Sequence, residues 1–523
     1  MAGRRPWPMF LLGWLLAWPL AAQPAPTAAA LYRTHCAGCH GARRLGGMGP
    51  ALLPQNLVRL SRARARQVIR DGRADTQMPA FGRRLTADAI ARLVDYIYRP
   101  PARPPRWDRA AMMATHREPH PRASLPAHPT YQADMQNLFV VVELGDHHVT
   151  LLDGDRLVPI TRFASHRALH GGPKFSPDGR FVFFASRDGW ITEYDLYSLQ
   201  TVAEIRAGIN TRNLAVSGDG RYVMVANYLP HTLVLLDARD LTPLRIFPVR
   251  DRNGRSSRVS AVYTAPPRHS FIAALKDVPE IWEIPYDREA VALPVYRGPR
   301  HDYRRESGEA PLLDRNRFPV RRIALAEPMD DFFFDPAYLN LIGAVRGGHG
   351  RVINLVTGAR VADLDLDGMP HLGSGITWDY RGHPVLATPN LKKAEISIID
   401  MTTWKTIERI PTQGPGFFIR SHENTPYAWT DVFFGPHRDL VDVIDKRTLK
   451  IVKVLRPAPG KTSAHVEFDR HGRYALLSIW DRKGAVVVYD AATLKEIKRL
   501  PMCKPSGKYN VYNKTHYSRG TSH

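Results

Sequence analysis

The segment Phe175-Ser-Pro-Asp-Gly-Arg-Phe-Val-Phe-Phe184 decides the fold, because the chain repeats it. Closely related segments are Val216-Ser-Gly-Asp-Gly-Arg-Tyr-Val-Met-Val225 and Phe468-Asp-Arg-His-Gly-Arg-Tyr-Ala-Leu-Leu477. Each joins one apolar strand to the next through a Gly-Arg turn that is followed by an aromatic residue. Alternation at period two, with turn residues about every 8 to 12 positions, predicts an all-β propeller built from repeated blades.

The repeats also end alike, in a strand that finishes with Asp before a short turn. This ending occurs in the segments 194–199, 236–241, 399–404, 444–449 and 489–494. The repeats predict eight blades, which begin near Leu138, Lys174, Ala215, Tyr263, Phe334, Ile376, Phe418 and Val466. The irregular segment 286–322 is interpreted as an insertion. The terminal segment 508–512 is expected to add a strand to the first blade and so close the ring.

The chain of 523 residues is too long for one ordinary core, so we expect two domains. It contains 73 Lys and Arg against 50 Asp and Glu, a formal net charge of +23. The basic residues recur in pairs such as Arg83-Arg84 and Arg321-Arg322. Such pairs suit an acidic protein partner or a cofactor rich in carboxylates.

The amino terminus has the three parts of a secretory signal. Two arginines precede an apolar run from Trp7 to Leu20, and small residues near Ala22 offer a cleavage site. The run is shorter than the about 20 residues that a membrane-spanning helix needs, so we expect a signal peptide over 1–22 and no stable membrane span. The paired arginines also suit twin-arginine export, but general secretion is the favoured interpretation. A periplasmic location is therefore expected, which excludes nucleic acid as a partner.

The segment Cys36-Ala-Gly-Cys39-His40 is the attachment signature of a c-type haem. The two thiols form thioethers with the haem vinyl groups, and the imidazole of His40 coordinates the iron. A thioredoxin-like thiol pair would require a strand before the motif, whereas an Ala-rich helical stretch precedes it here. Cys503 stands alone, which excludes a disulfide framework.

The second ligand of the c-haem iron is expected downstream of this motif. Met78 is favoured, because the proline after it breaks helical structure and helps to hold the thioether in a loop. Met48 is the alternative. It lies so close to the motif that reaching the other haem face would need a tight reversal.

The segment 85–98 predicts a helix that begins near Thr86 or Asp88 and has one apolar side. It is similar to the last helix of small class I cytochromes c. A proline-rich stretch follows, which cannot continue the helix. The predicted organisation is a signal peptide over 1–22, an all-α cytochrome c domain over 23–100, a Pro/Arg-rich linker over 101–130 and the propeller over 131–523.

An eight-bladed propeller behind a c-haem domain resembles the cytochrome cd1 family, and four segments carry the resemblance. They are 186–189 (Ser-Arg-Asp-Gly), 418–422 (Phe-Ile-Arg-Ser-His), 478–480 (Ser-Ile-Trp) and 504–513 (Lys-Pro-Ser-Gly-Lys-Tyr-Asn-Val-Tyr-Asn). The resemblance implies that the propeller binds haem d1, a tetrapyrrole with several carboxylates, without a covalent bond. His170 falls where the family has the proximal ligand of the haem d1 iron. Arg187, Arg212 and Arg250 match arginines near the carboxylates, and Tyr263 matches another position of the cavity.

The resemblance also implies differences from the nitrite-reducing members, which carry two histidines that donate protons to nitrite. Tyr338 falls at the first of these positions, and Asp379 or Tyr380 falls near the second. His371 and His383 lie close to them in sequence. A chain without these proton donors is expected to reduce nitrite poorly. It is similar instead to the branch of the family that oxidises a propionate of dihydro-haem d1 to an acrylate.

For that activity the resemblance implies a distal histidine that holds the substrate iron. His437 and His422 are the candidates, and Arg482 and Asn227 are expected to orient the reacting propionate. The covalent haem c is expected to accept the electrons. We therefore expect an exported oxidoreductase that completes haem d1 for denitrification, with cytochrome cd1 nitrite reductase and an acidic electron acceptor as partners. Nitrite reduction and non-catalytic delivery of haem d1 are the alternatives.

Overall fold

The computed structural model describes residues 26–46, 49–57, 60–73, 78–102, 105–287, 318–345 and 348–516, together with Gly3. The expected signal peptide, the alternative ligand Met48 and most of the expected insertion lie outside these residues. Within the described ranges, no helix is both long enough and apolar enough to cross a membrane.

Eight four-stranded antiparallel sheets form the blades of a propeller, in agreement with the repeats. In blades 2 to 8 the four strands of a sheet are consecutive in the chain. The strands are β1 (Leu138–Glu143), β2 (His148–Asp153) and β3 (Val158–Ala164) in blade 1; β4 (Lys174–Phe175), β5 (Phe181–Ala185), β6 (Trp190–Asp195) and β7 (Gln200–Arg206) in blade 2; β8 (Asn210–Val216), β9 (Tyr222–Leu229), β10 (Thr232–Asp237) and β11 (Pro243–Pro248) in blade 3; β12 (Val259–Ala265), β13 (Ser270–Leu275), β14 (Glu280–Pro285) and β15 (Arg321–Ala324) in blade 4; β16 (Met329–Phe334), β17 (Asn340–Val345), β18 (Gly350–Asn354) and β19 (Arg360–Leu364) in blade 5; β20 (Ile376–Tyr380), β21 (His383–Pro389), β22 (Glu395–Asp400) and β23 (Thr406–Pro411) in blade 6; β24 (Ile419–Ser421), β25 (Tyr427–Asp431), β26 (Val441–Asp445) and β27 (Lys450–Leu455) in blade 7; β28 (Ser463–Phe468), β29 (Tyr474–Ile479), β30 (Gly484–Asp490) and β31 (Glu496–Met502) in blade 8; and β32 (Pro505–Asn510), which joins blade 1.

The last strand of the chain closes the ring. β32 pairs with β1 antiparallel, with Val140 opposite Tyr509, so blade 1 takes its fourth strand from the other end of the propeller. This confirms the expected closure and leaves no unpaired edge at the seam. The closing strand ends earlier than predicted, because helix α6 (Val511–Thr515) begins with the Asn510 side chain as its cap.

A capped turn explains why each blade repeat ends in Asp. The carboxylate of Asp445 accepts a hydrogen bond from the backbone N–H of Arg447 at 2.7 Å, and the N–H of Leu449 donates to the Asp445 carbonyl at 2.8 Å. Leu449 closes this turn with a φ of 57°. Asp490 and Leu494 repeat the arrangement in blade 8, with an N–H to carbonyl distance of 2.9 Å. The aspartate therefore satisfies backbone donors at the turn, which is why the motif recurs.

The cytochrome domain is helical, and its helices pack around one apolar cluster that includes Tyr32, Phe81 and Leu93. Thr86 caps the last of these helices, because its hydroxyl oxygen accepts a hydrogen bond from the N–H of Ala89 at 3.2 Å. Of the two predicted helix starts, Thr86 and Asp88, the structure has Thr86. The helices are α1 (Ala28–His35), α2 (Ala37–His40), α3 (Arg62–Asp71) and α4 (Ala87–Ile97), and α5 (Arg109–Met113) follows in the expected linker. Short 3-10 helices occur at Pro54–Asn56, Arg122–Ser124, Met135–Asn137, Pro266–Arg268 and Leu372–Ser374.

The expected linker packs against the propeller. Met112 of α5 is buried in the core shared by blades 2 and 3, and the N–H of Arg117 donates to the carbonyl of Glu204 at 2.9 Å. The cytochrome domain also contacts blade 3 directly, since Leu53 is buried against Ile209. These contacts hold the haem-attachment segment beside the propeller.

Candidate active site

The haem-attachment motif occupies one turn of the cytochrome domain. Helix α2 brings Cys36, Cys39 and His40 together, and the N–H of His40 donates to the Cys36 carbonyl at 2.9 Å. The His40 ring is buried, with its Nδ1 2.8 Å from the carbonyl oxygen of Pro50. Because Nδ1–H donates to this carbonyl, Nε2 keeps the lone pair that an iron ligand needs. Burial lowers the pKa of His40, which favours the neutral imidazole.

The surroundings of this motif suit a haem. Met78 and Cys36 both pack against the apolar cluster of the domain, beside Phe81. Gly49 lies directly against the imidazole, since a Cβ there would be only 2.6 Å from Cε1 of His40. Two thiols, a neutral imidazole and a thioether beside an apolar cluster fit a covalently attached haem c.

A second site lies where the innermost strands of the propeller meet. A cavity of about 260 Å³ opens there, and its wall contains residues from the innermost strands of six blades: Arg212, Tyr263, Asp331, Arg420, His465 and Tyr509. Loops between strands add two histidines and three aromatic rings, those of His170, His371, Phe417, Phe418 and Trp480. We call the end of the propeller that carries this cavity the upper end.

His170 presents a neutral imidazole at the cavity wall. Its Nδ1 lies 2.9 Å from the backbone oxygen of Arg212, and its Nε2 lies 2.8 Å from Nη2 of Arg187. Burial and the guanidinium groups of Arg187 and Arg212 lower the pKa of His170 well below its ordinary value. Since Nδ1–H donates to the carbonyl, Nε2 is the acceptor, and the ring has the tautomer of a metal ligand.

Cations gather around Tyr228 beside the cavity. The charged groups of Arg187, Arg258 and Lys276 lie 5.9, 5.6 and 5.7 Å from the centre of its ring. Burial would raise the pKa of Tyr228, but these three groups together with Arg212 lower it. Carboxylates lie 2.6 Å from Arg258, 3.3 Å from Lys276 and 3.9 Å from Arg212, whereas Arg187 has no carboxylate partner among the described residues. The positive charge gathered here suits a ligand that carries carboxylates.

Asp331 connects three side chains of the cavity wall. The hydroxyl of Tyr263 donates to Asp331 at 3.1 Å, while a guanidinium nitrogen of Arg212 lies 3.9 Å from the carboxylate and Nε2 of His371 lies 4.0 Å from it. Nδ1 of His371 is 2.7 Å from the carbonyl oxygen of Phe417. Burial lowers the pKa of His371, so this imidazole is also neutral.

His465 and Tyr509 form another part of the wall, with ring centres 5.2 Å apart. His465 is 2% exposed, and its Nδ1 has no hydrogen-bond partner among the described residues. Burial lowers the pKa of His465 well below its ordinary value, and Lys508 and Arg420 add to this. Burial raises the pKa of Tyr509 to about 12. The wall therefore offers a neutral imidazole that accepts a proton beside a protonated phenol.

Several predicted residues lie at this cavity. His170, Arg212 and Tyr263 line it, and Arg187 contacts His170. His437 lies in the exposed loop between β25 and β26, above the wall that Phe417 belongs to, and does not line the cavity. Its role stays a prediction.

The structure places four predicted residues elsewhere. His422 is fully buried behind the end of β24 that points away from the cavity, where Gly472 packs against its ring. Arg482 is exposed in a separate surface cleft beside Cys503. Arg250 is also exposed, and its guanidinium donates to a backbone oxygen of its own loop at 3.0 Å. None of these three residues lines the cavity, and their expected roles stay predictions.

Asn227 does not line the cavity either, and its expected role stays a prediction. Its side chain is buried, and it donates to the carbonyl of Ala207 at 3.0 Å and to Thr232 at 3.1 Å while accepting from Thr211 at 2.7 Å. These hydrogen bonds occupy the polar atoms of its side chain, so Asn227 stabilises the loop that contains Ala207 rather than a bound ligand.

The residues expected at the two histidine positions of the nitrite-reducing members do not lie at the cavity. Tyr338, Asp379 and Tyr380 lie at turns of the lower end, far from the cavity, and so does His383. The cavity instead contains two histidines besides His170, of which only His371 had been noted as a possible displaced residue.

Sequence reasoning missed Asp331, His465, Tyr509, Arg420 and Tyr228 as residues of the site. A signal existed for Arg420 and Tyr509, because both lie within segments that carried the family resemblance. For Asp331, His465 and Tyr228 the pattern of blade repeats offers no comparable signal, since each is one polar residue within a buried strand.

Comparison with protein families identifies both domains. The family described as "Cytochrome D1 heme domain" matches residues 133–300 and 305–514, and the family "Cytochrome C oxidase, cbb3-type, subunit III" matches residues 23–97. The chain belongs to the cytochrome d1 haem domain family and carries a c-type cytochrome domain in front of it.

Individual relatives narrow the comparison. The chain is 57% identical to a dihydro-heme d1 dehydrogenase of Pseudomonas aeruginosa over 98% of its length and 99% of that protein. It is 25% identical to a nitrite reductase of Stutzerimonas stutzeri, with 92% of each covered. A solved structure, dihydro-heme d1 dehydrogenase NirN in complex with DHE, matches with a TM-score of 0.81 and 57% identity, and covers 94% of this chain and 100% of that one.

Proposed function

We propose that this chain oxidises a propionate of dihydro-haem d1 to an acrylate in the propeller cavity. The observation that carries the proposal is a neutral imidazole, His170, set among cations that suit carboxylates. This cavity belongs to a chain that is 57% identical to a dihydro-heme d1 dehydrogenase. In the reaction the side chain –CH2–CH2–COO⁻ becomes –CH=CH–COO⁻, with release of two electrons and two protons.

The residues of the cavity divide this work. His170 holds the iron of the substrate through Nε2, and Arg212 with the cations around Tyr228 holds its carboxylates. His465 receives one proton, since its unpartnered Nδ1 lies in the cavity wall beside the protonated phenol of Tyr509, and the second proton leaves to water. When it is attached at Cys36 and Cys39, haem c accepts electrons one at a time.

We propose His371, rather than His437 or His422, as the second ligand of the substrate iron. It lines the cavity, and the contact of its Nδ1 with the Phe417 carbonyl leaves the lone pair on Nε2. His371→Ala is expected to change the visible spectrum of the bound tetrapyrrole, whereas His437→Ala is expected to leave it unchanged. The reverse result would return the role to His437.

Nitrite reduction is the second candidate, because the cavity contains His371 and His465 and a nitrite reductase is among the relatives. Burial lowers the pKa of both histidines, however, and a neutral imidazole is a poor proton donor. Removal of protons from a propionate suits these side chains better than delivery of protons to nitrite.

The test uses the protein with its haem c attached. It is mixed anaerobically with dihydro-haem d1 and a one-electron acceptor, and the product is analysed for the acrylate by mass spectrometry. A second sample receives nitrite and an electron donor. Acrylate formation supports the proposal, nitric oxide formation would overturn it in favour of nitrite reduction, and tight binding without either product would leave a haem d1 carrier.

The cellular setting follows from this proposal. We propose export to the periplasm with a signal peptide over 1–22, and domain limits at 23–100, 101–130 and 131–523. The finished haem d1 passes to cytochrome cd1 nitrite reductase, and an acidic electron acceptor oxidises the attached haem c.

A further inference from the structure

We propose that an acidic one-electron redox protein docks on an arginine-rich face of the cytochrome domain. This face, the arginine face, is defined by Arg66, Arg70, Arg83 and Arg84, all exposed. The inference rests on the proposed dehydrogenase function, because oxidation of each substrate molecule yields two electrons, which leave haem c one at a time. In each transfer, reduced haem c loses one electron and the docked protein gains it.

The charge of the cytochrome domain is strongly one-sided. Residues 26–102 include thirteen arginines, four aspartates and neither lysine nor glutamate. Three of the aspartates lie within the described residues, and each is paired, Asp71 with Arg70 at 2.8 Å, Asp88 with Arg92 at 3.0 Å and Asp95 with Arg62 at 2.5 Å. Positive charge is therefore left over on this surface.

Three of the four arginines of this face lack an ion pair within the described part of the chain. They are Arg66, Arg83 and Arg84, whereas Arg70 pairs with Asp71. Unpaired and exposed guanidinium groups attract an acidic surface over several ångströms and speed its association.

The arginine face surrounds the loop that carries Met78. Arg83 and Arg84 follow this loop directly, and the loop packs on the end of α3, since a Cβ at Gly82 would be 2.8 Å from Cγ of Arg70. A partner that binds here approaches the candidate iron ligand. Electron tunnelling falls steeply with distance, so the position of the charge favours a redox protein over other acidic partners.

The other connection of the cytochrome domain is already used. The segment after His40 contacts blade 3, where Leu53 is buried against Ile209. A Cβ added at Gly46 would lie 3.5 Å from the carbonyl oxygen of Ile209. Electrons from the propeller reach the domain on this side. The arginine face, on the Met78 loop and α3, is the exposed surface from which they leave.

The test uses full-length protein with haem c attached, and plastocyanin, an acidic blue-copper protein, as the probe. Arg83→Glu/Arg84→Glu is compared with Lys450→Glu/Lys453→Glu, which makes the same change of charge on an exposed strand of blade 7. Haem c is first reduced chemically, without any tetrapyrrole, and its oxidation by copper(II) plastocyanin is followed by stopped flow. Binding of copper(I) plastocyanin is measured separately by the shift of its NMR signals.

At low salt, the arginine variant is expected to lose about tenfold or more in both rate constant and affinity, and the lysine variant less than about twofold. High salt is expected to remove most of this difference. Equal effects of the two variants would overturn the proposal. So would vesicles of anionic phospholipid that bind the protein through the same arginines while the oxidation rate stays unchanged, since the face would then belong to a membrane.

The assay contains no tetrapyrrole, so its outcome does not depend on the dehydrogenase proposal. In a companion experiment, one anaerobic turnover of dihydro-haem d1 is expected to reduce haem c equally fast in wild type and in Arg83→Glu/Arg84→Glu. Failure of that turnover in both proteins would count against the proposed function alone.

Discussion

The cytochrome site and the propeller cavity are built in different ways. Cys36, Cys39 and His40 lie within five residues, and a single turn of helix brings them together. The cavity takes its residues from His170 to Tyr509 and exists only when the ring of eight blades has closed. A contiguous site is specified by local backbone geometry, whereas a dispersed site depends on the contacts of the whole domain. The two sites are therefore expected to respond separately to mutation.

The largest effect is expected from removing the haem attachment. Cys36→Ala/Cys39→Ala is expected to abolish covalent haem and lower acrylate formation below detection, while tetrapyrrole affinity stays within about twofold, since distant sites are nearly independent. Haem staining after denaturing electrophoresis, mass spectrometry and titration measure the three quantities. Cys503→Ala is the control and is expected to behave as wild type. Loss of tetrapyrrole binding in the double variant would show that the sites are coupled.

A smaller effect is expected from the cavity ligand. His170→Ala is expected to weaken tetrapyrrole binding by about 10- to 100-fold, because it removes the iron ligand and leaves only the carboxylate contacts. The spectrum of haem c is expected to remain that of wild type. His437→Ala, in an exposed loop, serves as the matched variant. An unchanged dissociation constant for His170→Ala would remove this residue from the site.

A moderate pH effect is expected at the cavity alone. Burial, with Lys514 adding to it, lowers the pKa of Lys174 to about 7, and its neighbour Pro173 lines the cavity. A bound carboxylate raises this pKa, so binding takes up a proton above pH 7, and affinity is expected to fall by up to about tenfold per pH unit between about pH 7 and 9. Lys174→Gln is expected to flatten this dependence, and Lys450→Gln is expected to leave it. A steep profile in Lys174→Gln would assign the proton to another group.

The same shift predicts the stability of the ligand-free protein. The pKa of Lys174 in the folded state, about 7, lies below its ordinary value of 10.5. Between these values the unfolded chain binds more protons, so this lysine's contribution to stability rises with pH and is lost as the pH falls through about 7. Thermal unfolding at several pH values measures it.

The smallest effect is expected in the cytochrome domain. Thr86→Ala removes the oxygen that caps α4 and is expected to lower the free energy of unfolding of this domain by about 1 kcal/mol. Thr86→Ser retains the oxygen and is expected to preserve most of the stability. Calorimetry measures the two variants. Tetrapyrrole affinity is expected to stay constant in both, and a change would mean that the domains unfold as one unit.

Residues with strong local signals were predictable. The Gly-Arg turns and terminal aspartates led to eight blades, and Cys-x-x-Cys-His led to the haem c site. His170, Arg212 and Tyr263 followed from family resemblance and line the cavity. His422, Arg482 and Asn227 do not line it, because a blade repeat does not specify which side chains turn toward the centre of the ring.

His371 shows what family resemblance left open. The resemblance placed Tyr338 and Asp379 or Tyr380 at the positions of the proton-donating histidines and noted His371 only as close to them in sequence. The structure places Tyr338 in a turn of the lower end, whereas His371 lines the cavity. A loop residue reaches the cavity through the path of its loop, which the repeat pattern does not specify.

The amino-acid sequence by itself determined the propeller, its closure by the last strand and the haem c attachment, because each follows from short-range periodicity or from a few adjacent residues. Only the tertiary structure decided which histidines and cations share the cavity. Their imidazoles are neutral because the closed ring buries them next to guanidinium and ammonium groups that lie tens of positions away in sequence, on neighbouring strands and loops. Burial and charge of this kind arise from the closed ring, and no local pattern contains them.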